Sequence, residues 1–420
     1  MSTDGDERDQ IIDAASNSDG PGPHPLALSR FGVARFFERF AFYTMRHWLI
    51  VLFMTKAGGG ADANAFYTYF QYILAAVVFA QIPGGLAIDL FYSRRKALVW
   101  GGALIAVGYF ILAADTTATT ILAALCCIVG SGLYGGSSIS LLGSFYTGRS
   151  QYLDAGMCRY IALINAGAFA ASLFTVYAAT VFNWQQGCMV AGILMMVGHV
   201  YLLAVSRVFS EPKLKAAAEK KKANRTLQFL ILGAIMIGFV GFSFSLQSGY
   251  GMLSSVFASV GGHTGWPKVG SFAATAGVIL ALLIGSEVLT ARPGKVLVRL
   301  GYGLFLALVI IAASPLFMQL KAVSLPDFGV VGISVFLVVA LAVAEFLTLP
   351  PLYAFLLRLR PKYLHTLLGL VASVIHLPYL AAVSGIDTGG AGTVVLILLA
   401  VIVCGMAALT AIRFKNEIDI

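Results

Sequence analysis

Charge is what this 420-residue sequence has least of. Only 11% of it is Asp, Glu, Lys or Arg, against 59% hydrophobic residues and a mean hydropathy of +0.87. A soluble domain carries about 25% charged and about 45–50% apolar residues. That shortage excludes a soluble enzyme, a disordered chain and an ordinary nucleic-acid-binding domain. The five cysteines, Cys126, Cys127, Cys158, Cys188 and Cys404, include no CxxC pair and lie in apolar runs. They read as small buried hydrophobes, neither a disulfide framework nor a metal site. No GxxxxGK[ST] phosphate loop, HExxH or GxSxG is present, so ATP-driven pumping, zinc hydrolysis and serine hydrolysis lack their local signatures. No cofactor is expected and the chain is not read as an enzyme.

What the sequence does have is long apolar runs. About 20 apolar residues make a helix that crosses roughly 30 Å of hydrocarbon. Twelve runs qualify: 31–55, 64–90, 95–114, 118–146, 157–181, 185–207, 227–257, 269–290, 296–318, 328–357, 363–384 and 391–413. They lack the short alternating pattern of β-barrel strands. The expected fold class is therefore all-α: a polytopic membrane protein of twelve transmembrane helices in two six-helix halves. Residues 1–25 read as a disordered acidic cytoplasmic tail and 26–207 as an N-terminal six-helix bundle. The longest polar break, 208–226, is a cytoplasmic basic linker. Residues 227–413 make a C-terminal six-helix bundle, and 414–420 a cytoplasmic tail.

The bases set the orientation. Lys56, Lys268 and Lys321 fall in odd-numbered connections, whereas most of the 28 Lys and Arg lie at the termini or in even-numbered connections, such as Arg94-Arg95-Lys96, Arg149, Arg292, Lys295, Arg358, Arg360 and Lys362. The positive-inside rule puts both termini in the cytoplasm. The net charge of +9 is thus a topology signal, and nucleic acid is not an expected partner. The lipid bilayer is, and the expected location is a plasma or inner membrane.

Charge inside a membrane helix is costly and marks function. The first run holds Arg35, Glu38, Arg39 and Arg46. With Phe42 and Tyr43 these are spaced i, i+3, i+4, i+7, i+8 and i+11, which is one helix face. That face is expected to line a polar cavity, or to hold a structural ion pair of Glu38 with Arg35 or Arg39. Glu345 is an isolated acid in another run. Glu287 is expected to be solvated or paired with Arg292. His47, His199 and His376 are expected to pack or to bond between helices.

Gly84-Gly85-Leu86-Ala87-Ile88-Asp89-Leu90-Phe91-Tyr92-Ser93-Arg94-Arg95-Lys96 resembles the major-facilitator signature GGxxADRxxGRRK. In this motif the glycines allow close helix approach, while Asp89 can pair with a base or cap a neighbouring helix. Asp89, Arg94 and Arg95 are accordingly gating candidates, as are Arg35 and Glu38.

The stretch from Arg35 to Arg46 is similar to ExxERFxYYGxR of the proton-dependent oligopeptide transporter family, also called the peptide/nitrate transporter family. Tyr160 to Gly167 resembles its FYxxINxG, Phe244 to Gly249 its FxEQxG, and Glu345 with Pro350 its tenth-span Glu and Pro. The resemblance implies a transporter with a central cavity and alternating access. Arg39 and Arg46 would hold a substrate carboxylate and Asn165 and Glu345 an amino group, with Tyr43 and Gln247 as further substrate-binding candidates, the substrate being a peptide, amino acid or organic anion. Protons are a further candidate partner. Arg35, Gly135 and Leu246 replace the family's first Glu, span-four Lys and span-seven Glu, so weakened proton coupling is expected. A transporter-like sensor or accessory subunit is the alternative.

The topology has a direct test. A membrane-impermeant maleimide is expected to label Lys215→Cys only after cells are permeabilised; labelling in intact cells would reverse the orientation.

Overall fold

The computed structural model describes residues 24–56, 72–91, 93–114, 116–146, 149–178, 180–205, 233, 235–236, 239–240, 242–243, 266–320, 327–359 and 363–375. Gln247, His376, Cys404 and the 208–226 break lie outside them.

Local chemistry starts the helices. Ser93 caps α3 (Arg94–Leu112) by accepting from the Lys96 amide at 3.3 Å. Thr116 and Thr119 form a reciprocal capping box at the start of α4 (Thr117–Phe145). Asn183 and Gln186 exchange side-chain-to-amide bonds of 2.9 and 3.0 Å at the start of α6 (Trp184–Val205). Each satisfies an amide that the first helical turn leaves without a partner. The remaining elements are α1 (Leu26–Lys56), α2 (Gln81–Leu90), α5 (Leu153–Ala178), α7 (Trp266–Ala291), α8 (Val296–Leu320), α9 (Asp327–Leu359) and α10 (Leu364–Val374). A 3-10 turn, Ser150–Tyr152, leads into α5. Among the described residues no strand occurs, and seven helices are long and apolar enough to cross a membrane.

Among the described residues, Arg94, Arg95, Lys96, Arg149, Arg292 and Lys295 lie in or beside the connections that follow α2, α4 and α7, at one end of the bundle, the basic face. Apolar residues point outward around the bundle. Ile121, Leu125 and Val129 of α4 are about half exposed at successive i+4 positions, a stripe suited to lipid. Within the first half, α1 is wedged between α5 and α6, and α3 packs along α4. Trp48 and Phe31 are buried, and Phe31 stacks on Tyr160 with ring centroids 5.9 Å apart.

The main contacts between the halves pair α2 with α10 and α5 with α7; α10 also meets α4, and α9 meets α5 and α4. The α2–α10 contact is made by backbone. A Cβ on Gly85 would overlap the His365 carbonyl, and one on Gly369 would overlap the Gln81 carbonyl. The motif glycines thus provide the close approach expected from the sequence. Asp89 also behaves as expected, capping the neighbouring helix. One carboxylate oxygen accepts from the His365 amide (3.2 Å) and ring Nδ1 (2.6 Å); the other accepts from the Thr366 amide (2.9 Å) and hydroxyl (2.7 Å).

The prolines of α9 explain a third junction. Pro350 has no N–H, so the Phe346 carbonyl loses its helical donor. Arg299 of α8 supplies one from Nη2 at 2.9 Å, and its guanidinium lies 4.4 Å from the Phe346 ring centroid. Nη1 of the same group pairs with Asp154 of α5. One missing amide hydrogen in α9 thereby leads to an ion pair between the halves.

Gly369→Leu is expected to lower the melting temperature, at a cost of roughly 1–3 kcal/mol for forced overpacking. Gly332→Ala, at a site with no neighbouring atom within 4 Å, is the matched control and should change little. Equal melting temperatures would remove the α2–α10 contact from the stabilising features.

Candidate functional site

The first helix places its charges as its periodicity dictates, but they do not all share one surface. Glu38, Phe42, Met45, Arg46 and Leu49 line a cavity of about 80 Å³ inside the first half. Its other walls come from the Tyr72–Leu90 span (Ile73, Leu74, Val77), α3 (Ile105, Tyr109, Leu112) and α4 (Thr120, Ala123, Ala124, Cys127, Ser131). The walls are mostly apolar, with Glu38 and Arg46 as their charges. The expected single face is therefore split: Arg35, Arg39 and Tyr43 are not among the lining residues.

Arg35 is 4% exposed. Its guanidinium lies over the rings of Tyr134 (4.9 Å) and Tyr160 (5.8 Å), and Nη1 is 3.0 Å from Glu38 Oε2. Arg39 grips Glu38 in a two-pronged contact, Nε to Oε2 and Nη2 to Oε1, both 2.6 Å, and lies 4.9 Å above the Phe42 ring. The sequence left open which arginine pairs with Glu38; both do. Two guanidinium groups around one carboxylate satisfy the acid and leave a formal charge of +1, with aromatic faces taking up part of the excess. Arg46, half-buried in the cavity wall, has no hydrogen bond or ion pair among the described residues. It is the cation that the wall leaves available.

The other candidates are dispersed. Tyr43 meets Phe42 edge to face at 5.3 Å. Asn165 donates to the Ile161 carbonyl of its own helix at 3.1 Å. Glu345 is 9% exposed on α9, outside this cavity. At position 135, the space a longer side chain would need is taken by the Gln81 amide. His47 Nδ1 bonds to Thr175 between α1 and α5 at 3.4 Å, as expected of a membrane histidine. Among the gating candidates, Arg94 donates to the Ser140 carbonyl at 3.2 Å, and Arg95 is exposed on the basic face.

Glu287 is solvent-exposed, one of the two alternatives expected of it, and its ion pair is with Arg159 of α5, at 2.7 Å, not with Arg292, while Arg159 Nε donates to Ser286 at 2.9 Å. The reason is geometric: α5 and α7 pack side by side, and Arg292 lies beyond the helix end. Asp154, Arg159 and Arg299 were not singled out from the sequence, although an Asp within a buried apolar helix was a usable signal. Arg358 adds a bond to the Ser150 carbonyl at 3.0 Å. These bonds and the Asp89 cap link the halves at the basic face. No group of three or more His, Cys, Asp or Glu able to hold a metal occurs among the described residues.

A peptide transporter of Yersinia enterocolitica is 28% identical over 202 residues, which cover 46% of this chain and 38% of that protein. Dipeptide and tripeptide permease A of Proteus mirabilis is 29% identical over 169 residues, covering 40% of this chain and 33% of the permease. The chain thus matches less than half the length of either relative. The fold agrees over almost its whole length with a POT family transporter crystallised with 5-aminolevulinic acid (TM-score 0.55, 16% identity, 95% of this chain and 98% of that one). It also agrees with a peptide transporter POT crystallised with sulfate (TM-score 0.53, 18% identity, 97% and 99%). The family model for the Major Facilitator Superfamily matches residues 33–383, and with these helices, this pairing of halves and this signature loop, the chain belongs to that superfamily.

Proposed function

We propose that the protein is a secondary transporter that moves a small carboxylate-bearing solute, peptide or amino-acid-like, by alternating access, with proton coupling weakened or lost. Arg46 carries this reading: it is a cation without a partner among the described residues, set in the wall of an apolar cavity. A guanidinium there offers a planar fork that matches a carboxylate, and the low-dielectric wall strengthens the pairing. The relatives' names point the same way, to peptides, and one solved structure holds 5-aminolevulinic acid. Arg39 and Tyr43, neighbours of the lining residues Glu38 and Phe42 on α1 though not themselves in the lining, would join the binding region, while Asn165, Gln247 and Glu345 would meet the rest of the solute from other helices. Halves 26–207 and 227–413 rock against each other, and the basic face is cytoplasmic by its charge.

Weak coupling follows from the environment of Glu38. Both its oxygens are engaged by guanidinium donors, so a proton must displace an ion pair to bind. The substitutions at Arg35, Gly135 and Leu246 remove further proton-releasing or gating groups. They also keep a non-transporting sensor in view, which solute counterflow separates from a transporter.

Two outcomes are expected. Arg46→Gln should fold normally yet lose about 10- to 100-fold in affinity for a di- or tripeptide by thermal shift, the worth of one charge-assisted bond. Unchanged binding would move the site elsewhere. In proteoliposomes with clamped membrane potential, labelled solute should exchange across the membrane, while an inward proton gradient drives no accumulation above equilibrium. Accumulation that is lost in Glu38→Gln or Glu345→Gln would restore ordinary proton symport.

A further inference from the structure

The segment preceding α1 carries a histidine that the transport site does not use. His24 lies where three elements of the basic face converge. Its Nδ1 is 2.8 Å from the Tyr146 hydroxyl at the end of α4, and its Nε2 is 2.8 Å from the Thr290 hydroxyl in the last turn of α7. Tyr146 belongs to the first half and Thr290 to the second, so one imidazole bridges the seam. The rings of Tyr146 and Tyr152 meet it edge-on, with centroids 6.1 and 6.4 Å away.

The neighbours define the tautomer. Thr290 gives its own hydroxyl proton to the Ser286 carbonyl at 2.8 Å, so it accepts from Nε2–H. Nδ1 then keeps its lone pair and accepts from the Tyr146 hydroxyl. Only a neutral ring offers one donor and one acceptor; an imidazolium has two donors and would lose the Tyr146 bond in this sense. The charged groups around the ring are Arg159 of α5 and Glu287 of α7, themselves paired, with Arg149 just beyond Tyr146. Burial, then Arg159, push the His24 imidazole down to about 4 from an ordinary 6.5, against the pull of Glu287.

We propose that His24 is a gating residue: its neutral imidazole latches α4 to α7 and holds the basic face closed, and protonation of the ring releases it. This rests on the alternating-access reading above, but its test needs no substrate. The sign follows from linkage. A histidine whose value is depressed in the closed state favours closure above its free value. That advantage is lost as pH falls from 6.5 towards 4. Between about pH 7.5 and 5.5 the ratio of closed to released forms falls about tenfold.

Cys158 supplies a native reporter. It is fully buried on α5 beside Arg299, at the same seam, whereas Cys188 is fully buried on α6 within the first half and serves as an internal control. Alkylation of each cysteine by N-ethylmaleimide is read by peptide mass spectrometry on the full chain in nanodiscs. His24→Ala is expected to speed Cys158 alkylation about tenfold at pH 7.5. Its advantage over the parent should shrink towards one at pH 5.5, where the parent's own latch has let go. His24→Gln, which keeps a donor and an acceptor but does not titrate, should stay as slow as the parent at pH 7.5 and remain slow at pH 5.5. Cys188 should be unmoved throughout. Equal rates for parent and His24→Ala at pH 7.5, an undiminished advantage at pH 5.5, or a parallel rise at Cys188 each overturns the latch.

Discussion

A charge left bare in hydrocarbon costs several kcal/mol, and the arrangement of α1 follows from that cost. Four of its six charged residues, Arg35, Glu38, Arg39 and Arg46, sit within twelve positions of one another in the middle of a long helix. The structure meets the cost by gathering three of them into a closed group. Arg35 and Arg39 share Glu38, and the rings of Tyr134, Tyr160 and Phe42 cover the surplus positive charge. The fourth, Arg46, stands apart in a cavity wall. In the proposed function, what would be an energetic liability in a purely structural helix becomes a means of selecting an anion.

The same economy of unmet polar groups shapes the seam between the halves. Pro350 removes one hydrogen-bond donor from α9, Arg299 replaces it, and Asp154 balances Arg299. The Asp89 carboxylate meets amides that the start of α10 leaves without helical partners. These contacts cross between helices that must part if the basic face is to open. They are polar and local, and each group could exchange its partner for water once exposed. The small-residue contact of α2 with α10 is of another kind, since Gly85 and Gly369 place backbone against backbone without demanding a specific partner.

The division of labour is therefore spatial. The proposed binding chemistry lies within the first half, between α1 and its neighbours. The polar contacts between the halves lie along the basic face, shared by α2, α4, α5, α7, α8, α9 and α10. Arg159 and Glu287 belong only to the second group, and the closed group around Glu38 only to the first.

The membrane-spanning helical character, the motif loop with its Asp89 cap, the polar identity of α1 and the absence of enzyme motifs were all legible in the sequence. Each depends on hydropathy, helical period or a local spacing. Partner choice was not. Glu287 lies five residues from Arg292 yet bonds to Arg159, 128 positions away, because α5 lies against α7. Helical phase put Arg35 and Arg46 on one face, but only packing could bury the first among tyrosines and leave the second in a cavity. His24 looked like part of a polar tail because neither hydroxyl it bridges is near it in sequence. Local physics determines what each segment is. The tertiary structure decides which distant group satisfies it, since a buried donor or charge takes whichever partner the packing brings within about 3 Å.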